Sequence, residues 1–308
     1  MANVVRAASH LNHSSRMPLS VHAVVNKITP VMPSWCTQWP ITDMPEDAVR
    51  QHQNLSRGKN IGASVFLWKP FLYRLLPLNK VIVLDLDIVV VHGSGIGALW
   101  DLFKSFEPGQ VLGVVPEQGP TYFRYGRHAG FNGGVQLHNL HRMHATKSPR
   151  GIKGVVTYDE ALQRCTEGGC TGWDAIEANL GDQTLYTKLC QTHPHLCHRL
   201  PCGWNRQMST KYYTVPNFRS EWHACPASQC HLLHFNQPLL ESAVPALQLS
   251  HGPIECADCR HGIEALVNHT IAHPSKNPRF SWGASKQYMA QVIESCCCNT
   301  GTGRGNEA

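Results

Sequence analysis

The most informative run in the chain is Val81-Ile82-Val83-Leu84-Asp85-Leu86-Asp87-Ile88-Val89-Val90-Val91. Apart from two aspartates one residue apart it is aliphatic and mostly β-branched, the composition of a strand buried on both faces inside a parallel sheet. Carboxylates in such a run are costly unless something compensates them. At i and i+2 they project to the same side of a strand, and where strand passes into loop both can reach one hard cation. The bland alternative is a solvated strand end with two surface aspartates. Without the strand in front of it, Asp-x-Asp is too short to be specific.

The flanking sequence supplies the rest of an alternating pattern. Upstream, residues 61–76 have helical apolar spacing through Val65, Phe66, Phe71, Leu72 and Leu75, and Pro70 is expected to kink or restart that helix. Downstream, Ile96, Leu99, Trp100 and Phe103 repeat at i, i+3, i+4 and i+7, a helix packed on a sheet. Pro108-Gly109 then turns the chain into a second apolar strand over 111–115. Helix, strand, helix, strand predicts an α/β domain with a mostly parallel sheet. Ligands of such sheets sit beyond the carboxyl ends of the strands, where the two aspartates stand. A short strand is expected within 18–26, mostly loop over 28–60, an insertion over 146–173 and a helix over 180–189 opened by Gly181-Asp182.

Composition bounds the alternatives. The 308 residues are 42% hydrophobic, enough for a sizeable core, and carry a net charge of +6 with 19 histidines. The basic residues are scattered rather than clustered, which argues against nucleic acid as a partner and fits attraction to an anionic substrate. Thirteen cysteines leave two readings open, disulfides in an oxidising lumen or metal ligands. No signal peptide follows Met1 and no apolar run is long enough to span a membrane. A membrane is therefore a partner only through an anchor absent from this sequence.

Four pieces carry chemistry. They are Asp85-Leu86-Asp87; Gly130-Phe131-Asn132-Gly133-Gly134-Val135, where glycines let backbone approach a ligand and Asn132 offers an amide; Gly181-Asp182-Gln183 at a helix start; and His234-Phe235-Asn236. Each alone is weak, since a Gly-Gly pair is usually a turn and a lone histidine usually structural. Their order and spacing together are far more specific.

That combination resembles the retaining glycosyltransferases of family eight, nearest within it to the xyloside xylosyltransferases and the xylosyltransferase domain of LARGE-type enzymes. The stretches that carry the likeness are 81–91 with 100–106, 109–115, 130–143, 181–189 and 193–207, the last reading His-Pro-His-Leu-Cys-His-Arg-Leu-Pro-Cys-Gly-Trp-Asn-Arg-Gln. The resemblance implies a single glycogenin-like (GT-A, Rossmann-like) domain over 18–245, followed by a Cys-containing, partly disordered extension over 246–308. It implies a UDP-sugar donor, a glycan or glycoprotein acceptor, and a divalent metal, usually Mn²⁺, held by Asp85, Asp87 and His234. Asp85 also touches the donor, with Lys69, Leu86, Asn132, Gly133 and Leu180. Asp182 and Gln183 flank the anomeric carbon as catalytic residues, and Trp204, Asn205 and Asn236 lie on the acceptor side, Trp204 as a stacking platform. Asp182 is the only nucleophile these motifs supply for a double displacement; the family is argued to use a front-face path instead. A disulfide from Cys202 to Cys225 or Cys230 and an endoplasmic reticulum or Golgi lumen also follow from the resemblance.

Two departures stand out. The family opens with a strand and a nucleotide-binding loop that residues 1–20 do not show, so the domain reads as N-terminally truncated. Gln237-Pro238-Leu239-Leu240 replaces the family's Gly and Lys after the metal histidine. The expected function is transfer of xylose from UDP-xylose to a xylose-bearing acceptor. The alternatives are a related UDP-hexose transferase, an inactive or truncated member, and a zinc-binding module built on Cys256-Ala257-Asp258-Cys259-Arg260-His261 with the cysteines at 296–298.

Overall fold

The aspartate-bearing run does not form one strand. In the computed structural model it divides into β3 (Val81–Leu84) and β4 (Ile88–Val90), with Asp85-Leu86-Asp87 as the turn between them. The Ile88 N–H donates back to the Asp85 carbonyl at 3.3 Å. The division has a physical reason: an uninterrupted buried strand would have dragged both carboxylates out of water. The structure describes residues 19–26, 28, 30, 32, 34–56, 65–90, 95–118, 130–145, 156–167, 181–207, 225 and 230–234.

The two halves of the run belong to different sheets. β5 spans Leu112–Pro116, β6 Phe131–His138 and β7 Cys197–Arg199; with β3 they form a four-stranded sheet in the order β3-β6-β5-β7. β4 joins β8 (Arg206–Gln207) and β9 (Leu232–His234) in the order β4-β9-β8. The β3–β6, β5–β6 and β4–β9 pairings are antiparallel, and β5–β7 and β8–β9 parallel. The single α/β domain is as expected, but its sheets are more mixed than the apolar runs predict. β3 is a half-buried edge of its sheet among the described residues, whereas β5 and β6 are buried along their whole lengths.

Helices cover both faces. Ile96, Leu99 and Phe103 are buried on α3 (Gly95–Asp101) and the 3-10 turn that continues it, while Trp100 stays 38% exposed at its edge. They pack with Val115, Val135 and Leu137 in one core. The larger core gathers Phe71, Leu112, Leu140 of α4 (Leu140–Met143), Tyr158, Leu162, Tyr186 and Leu189. Pro70 restarts the chain as a 3-10 turn, Lys69–Phe71, that leads into α2 (Leu72–Leu75). α6 (Asp182–Thr192) opens after Gly181, whose φ of 60° is one of the few places where glycine's freedom is required.

Three expectations are corrected. Residues 28–60 hold a helix, α1 (Glu46–Ser56), and a strand, β2 (Cys36–Pro40), which pairs in parallel with β1 (Val21–Val25). α1 starts with Glu46 and Asp47, which suit the positive end of a helix dipole, and it buries Ala48 completely. The supposed insertion contributes α5 (Tyr158–Thr166), opened by a Thr157–Glu160 capping box, with Tyr158, Ala161 and Leu162 in the main core. The aspartate strand is short and half-buried, as above. The first 18 residues, the segment 246–308 and the Cys256–Cys259 cluster lie outside the described residues.

Candidate metal and donor site

Because His234 pairs with Ile88 across the β4–β9 ladder, the imidazole comes to lie over the Asp85–Asp87 turn. His234 Nε2 is 3.2 Å from Asp87 Oδ1 and 3.9 Å from Asp85 Oδ2. One ligand atom from each of the three residues lies within 4.8 Å of the others. β6 fixes the turn from below, since the Asp85 N–H donates to the Gly134 carbonyl at 2.9 Å.

The glycine pair makes room for these groups. A Cβ on Gly134 would stand 2.4 Å from His234 Cε1, and one on Gly133 would stand 2.8 Å from Asp182 Oδ2. Those separations are far inside van der Waals contact, so Gly133-Gly134 is a cradle for an imidazole and a carboxylate rather than a turn. The β5–β6 register shifts between Val114 and Val115 at this point, a bulge that leaves Gly133, Gly134 and Val135 out of the β5 ladder.

Behind the aspartates lies a buried charge cluster. Lys69 Nζ is 2.6 Å from Asp85 Oδ1 and 3.3 Å from Asp182 Oδ2, and it donates to the Gly133 carbonyl at 2.8 Å. Burial alone would lower the Lys69 pKa, but Asp182 and Asp85 outweigh it and hold the ammonium above its ordinary value. Burial lifts the Asp182 carboxyl to about 6; Lys69 opposes the shift and Asp85 adds to it. Gln136 Nε2 donates to Asp182 Oδ2 at 2.7 Å, and its Oε1 pairs with His138 Nε2, also at 2.7 Å. Burial, helped by Lys69, pushes the His138 pKa down to about 3, so this ring is neutral and donates.

A second network joins Gln183 to the histidine. Glu117 Oε2 accepts from Gln183 Nε2 at 2.6 Å and from Asn132 Nδ2 at 3.0 Å. Asn132 Oδ1 accepts from the Gly134 N–H at 2.9 Å and from Asn205 Nδ2 at 2.7 Å, and Asn205 Oδ1 faces His234 Nδ1 at 2.9 Å.

Of the residues singled out in the sequence, Asp85, Asp87, His234, Lys69, Asn132, Gly133, Asp182 and Gln183 therefore meet in one place. Leu86 sits between the aspartates, 43% exposed. Leu180 and Asn236 lie outside the described residues. Trp204 and Asn205 are both buried. Trp204 is 5% exposed in the core, with its ring stacked on His231 at 4.1 Å between centroids, so it is not a platform open to a sugar. Asn205 is completely buried behind His234. The disulfide from Cys202 is to Cys225, beside this network, and a second ties Cys190 to Cys197.

Glu117 and Gln136 were missed. Glu117 follows the apolar run 111–116 as Asp85 follows 81–84, a carboxylate directly after a buried strand. Asn132, Gly134, Gln136 and His138 alternate along β6, and this period of two marks a polar strand face.

The residues fit a hard divalent cation: two carboxylates and an imidazole are suitable ligands, they converge, and the Gly134 cradle keeps the ring among them. No protein-family model matches the chain. It is 28% identical over 182 residues to human xyloside xylosyltransferase 1, a match covering 53% of this chain and 44% of that protein. It is 34% identical over 185 residues to mouse xylosyl- and glucuronyltransferase LARGE2, covering 56% of this chain and 24% of that protein. The chain thus spans less than half the length of these curated relatives. The crystal structure of mouse xyloside xylosyltransferase 1 in its apo form superposes with a TM-score of 0.59 at 21% identity, covering 77% of this chain and 92% of that one. The chain is homologous to these transferases and has the GT-A glycosyltransferase fold.

Proposed function

We propose that this chain is a retaining glycosyltransferase that moves xylose from UDP-xylose to a xylose-bearing glycan or glycoprotein with the help of a divalent metal. The observation that carries the reading is the convergence of Asp85, Asp87 and His234 in front of Lys69, Asp182 and Gln183. A cation such as Mn²⁺ held by those three ligands would neutralise the donor diphosphate and stabilise the departing UDP. Lys69 adds a second positive charge at the same edge, kept ionised by two carboxylates. Asn132, Gly133 and Leu180 are assigned to the donor sugar and Asn236 to the acceptor side.

The carboxylates are poorly suited to attack the anomeric carbon. Asp182 Oδ2 already accepts from Gln136 and faces Lys69, and Glu117 Oε2 already accepts from two amides. Both side chains are buried. This favours a front-face path in which the leaving phosphate takes the acceptor proton and preorganised amides spread the developing charge. Asp182 then serves to hold Lys69, and Glu117 to orient Gln183 and Asn132.

The Cys190–Cys197 and Cys202–Cys225 disulfides support an oxidising compartment of the endoplasmic reticulum or Golgi type. Among the described residues no helix is long and apolar enough to cross a membrane.

The test is turnover of UDP-xylose, UDP-glucose and UDP-galactose with a xyloside acceptor, with Mn²⁺ and with EDTA, the product anomer read by NMR. Metal-dependent transfer that is fastest from UDP-xylose and gives the retained anomer is expected. Faster turnover of UDP-glucose reassigns the donor, an inverted product removes retention, and no UDP binding or turnover at all sinks the transferase reading.

A further inference from the structure

We infer that Asn205 is a positioning residue for His234: a line of buried amides starting at a backbone N–H fixes which imidazole nitrogen faces Asp85 and Asp87. The inference rests on the ion site proposed above and concerns what prepares it.

The line is readable because it begins at a main-chain donor. The Gly134 N–H can only donate, so the Asn132 side-chain atom 2.9 Å away is its oxygen. That oxygen's other close partner, the Asn205 atom at 2.7 Å, must then be the amide nitrogen. Asn205 is thereby turned so that its oxygen faces His234 Nδ1 at 2.9 Å. An amide oxygen only accepts, so Nδ1 carries the proton. The far end agrees, since Asn132 Nδ2 donates to the Glu117 carboxylate at 3.0 Å. Asn132 is 3% exposed, Asn205 0% and His234 3%, which leaves no open side from which bulk solvent could substitute for a missing partner.

A neutral imidazole protonated at Nδ1 keeps its lone pair on Nε2. That atom stands 3.2 Å from Asp87 Oδ1 and 3.9 Å from Asp85 Oδ2. A lone pair aimed at two carboxylates is repulsive until a cation lies among them. The opposite tautomer would instead satisfy Asp87 with a hydrogen bond and close the site to metal. The hydrogen bond to the non-ligating nitrogen is the usual way a protein fixes a metal-binding histidine. Here a neutral amide makes it, and the amide's own orientation is set two links away by Gly134.

The experiment has two readouts. The first is NMR of the metal-free protein labelled with ¹⁵N-histidine, in which each ring nitrogen reports separately whether it carries a proton. The His234 signal is identified by its loss in His234→Gln. The second is calorimetric titration with Mn²⁺ in the presence of UDP. In the wild type Nδ1 should carry a proton held by Asn205 Oδ1. Asn205→Leu should lose that preference and bind Mn²⁺ about 10- to 100-fold more weakly. Asn205→Asp keeps an acceptor against Nδ1 but buries a charge against Asn132 Oδ1. It should melt lower than Asn205→Leu and yet bind Mn²⁺ more tightly, an order that a merely structural role does not produce. A wild-type Nε2–H tautomer, an unaffected Asn205→Leu variant, or affinities that follow melting temperature would each overturn the inference. Failure of the wild type to bind Mn²⁺ refutes the ion site instead, while the tautomer result still decides the role of Asn205.

Discussion

Replacing Gly134 by alanine tests the site through a single methyl group. The added Cβ would lie 2.4 Å from His234 Cε1, 2.5 Å from His234 Nδ1 and 3.1 Å from Asn132 Oδ1. Ordinary carbon contacts are at about 3.5–4.0 Å, so strand or ring must yield by roughly 1 Å. The strand is tied at this point on its β3 side, where Val135 pairs with Leu84 and the Gly134 carbonyl holds the Asp85 N–H at 2.9 Å, and it rejoins β5 at Asn132 and Gln136 on either side of the bulge. The ring is the softer element. Metal–ligand distances tolerate about 0.2 Å, so a displacement several times larger removes His234 from the ligand set. Losing an outer-shell partner typically costs about 10- to 100-fold in metal affinity, and losing a ligand should cost at least that. The overpacking itself should cost about 1–3 kcal/mol of stability. Gly113→Ala is the control, because its Cβ would meet Phe106 Cζ at 2.9 Å and Leu137 Cβ at 3.0 Å, in the core and away from the ion site. Calorimetry with Mn²⁺ and UDP, alongside thermal melts, should show both variants destabilised and only Gly134→Ala impaired in binding. Equal losses of affinity in the two, or wild-type affinity in Gly134→Ala, would refute the cradle argument.

Asp87→Asn keeps the shape of the side chain and drops its charge, so metal-dependent UDP binding should disappear from the titration while circular dichroism is unchanged; unaltered affinity would remove Asp87 from the ligand set. Lys69→Met leaves Asp182 buried without its cation, a change that typically costs about 3–5 kcal/mol; urea unfolding at neutral pH checks it, and a loss below about 1 kcal/mol would mean that water or another donor replaces the ammonium. Asp182 predicts a pH dependence. Its carboxyl titrates at about 6 when folded and near 3.9 when unfolded. The folded chain therefore holds the proton more tightly, and the group's contribution to stability is fully present below about pH 4 and lost as pH rises through about 6. Relative to Asp182→Asn, the wild type should lose at most about 3 kcal/mol between pH 4 and 7. A difference that stays flat, or grows, across that range would contradict the burial argument.

Local chemistry was legible in the sequence and long-range pairing was not. The carboxylates after an aliphatic run, the Gly133-Gly134 pair and the Gly181-Asp182-Gln183 helix start all announced themselves, because each depends on residues within a few positions. α1 and α5 were hidden by polar composition: their apolar stripes are narrow, and Ala48 and Ala161, both fully buried, weigh little in any hydrophobic pattern. The surroundings of Asn205 were hidden for a related reason. The acceptor-side role came with the family resemblance, and only the tertiary structure reveals that Trp204 and Asn205 are both buried and that the Asn205 amide spans Asn132 and His234. Buried polar networks are specified by partners far apart in the chain, here residues 117, 132, 183, 205 and 234.

The mistaken reading of the aspartate run explains how the site comes to exist. A single long strand would have held Asp85 and Asp87 in one sheet, with the histidine's position set by nothing local. The break sends β3 into one sheet and β4 into another, so the turn between them is the seam where the two sheets meet. β6 reaches that seam from the first sheet through Gly134, and β9 reaches it from the second through His234. The location of His234 is thus inherited from the register of a three-residue ladder, Ile88↔His234, Val89↔Leu233 and Val90↔Leu232. Side chains alternate along a strand, so a slip of one residue would put Leu233 at the seam and turn the imidazole to the other face. Both faces of β9 are buried, Leu232 and His234 on one and Leu233 on the other, so such a slip is opposed because it would drive the imidazole into the place of an apolar side chain and leave Leu233 against the carboxylates. The same apolar side chains that made the run look like one buried strand therefore hold the ladder that brings the histidine to the aspartates.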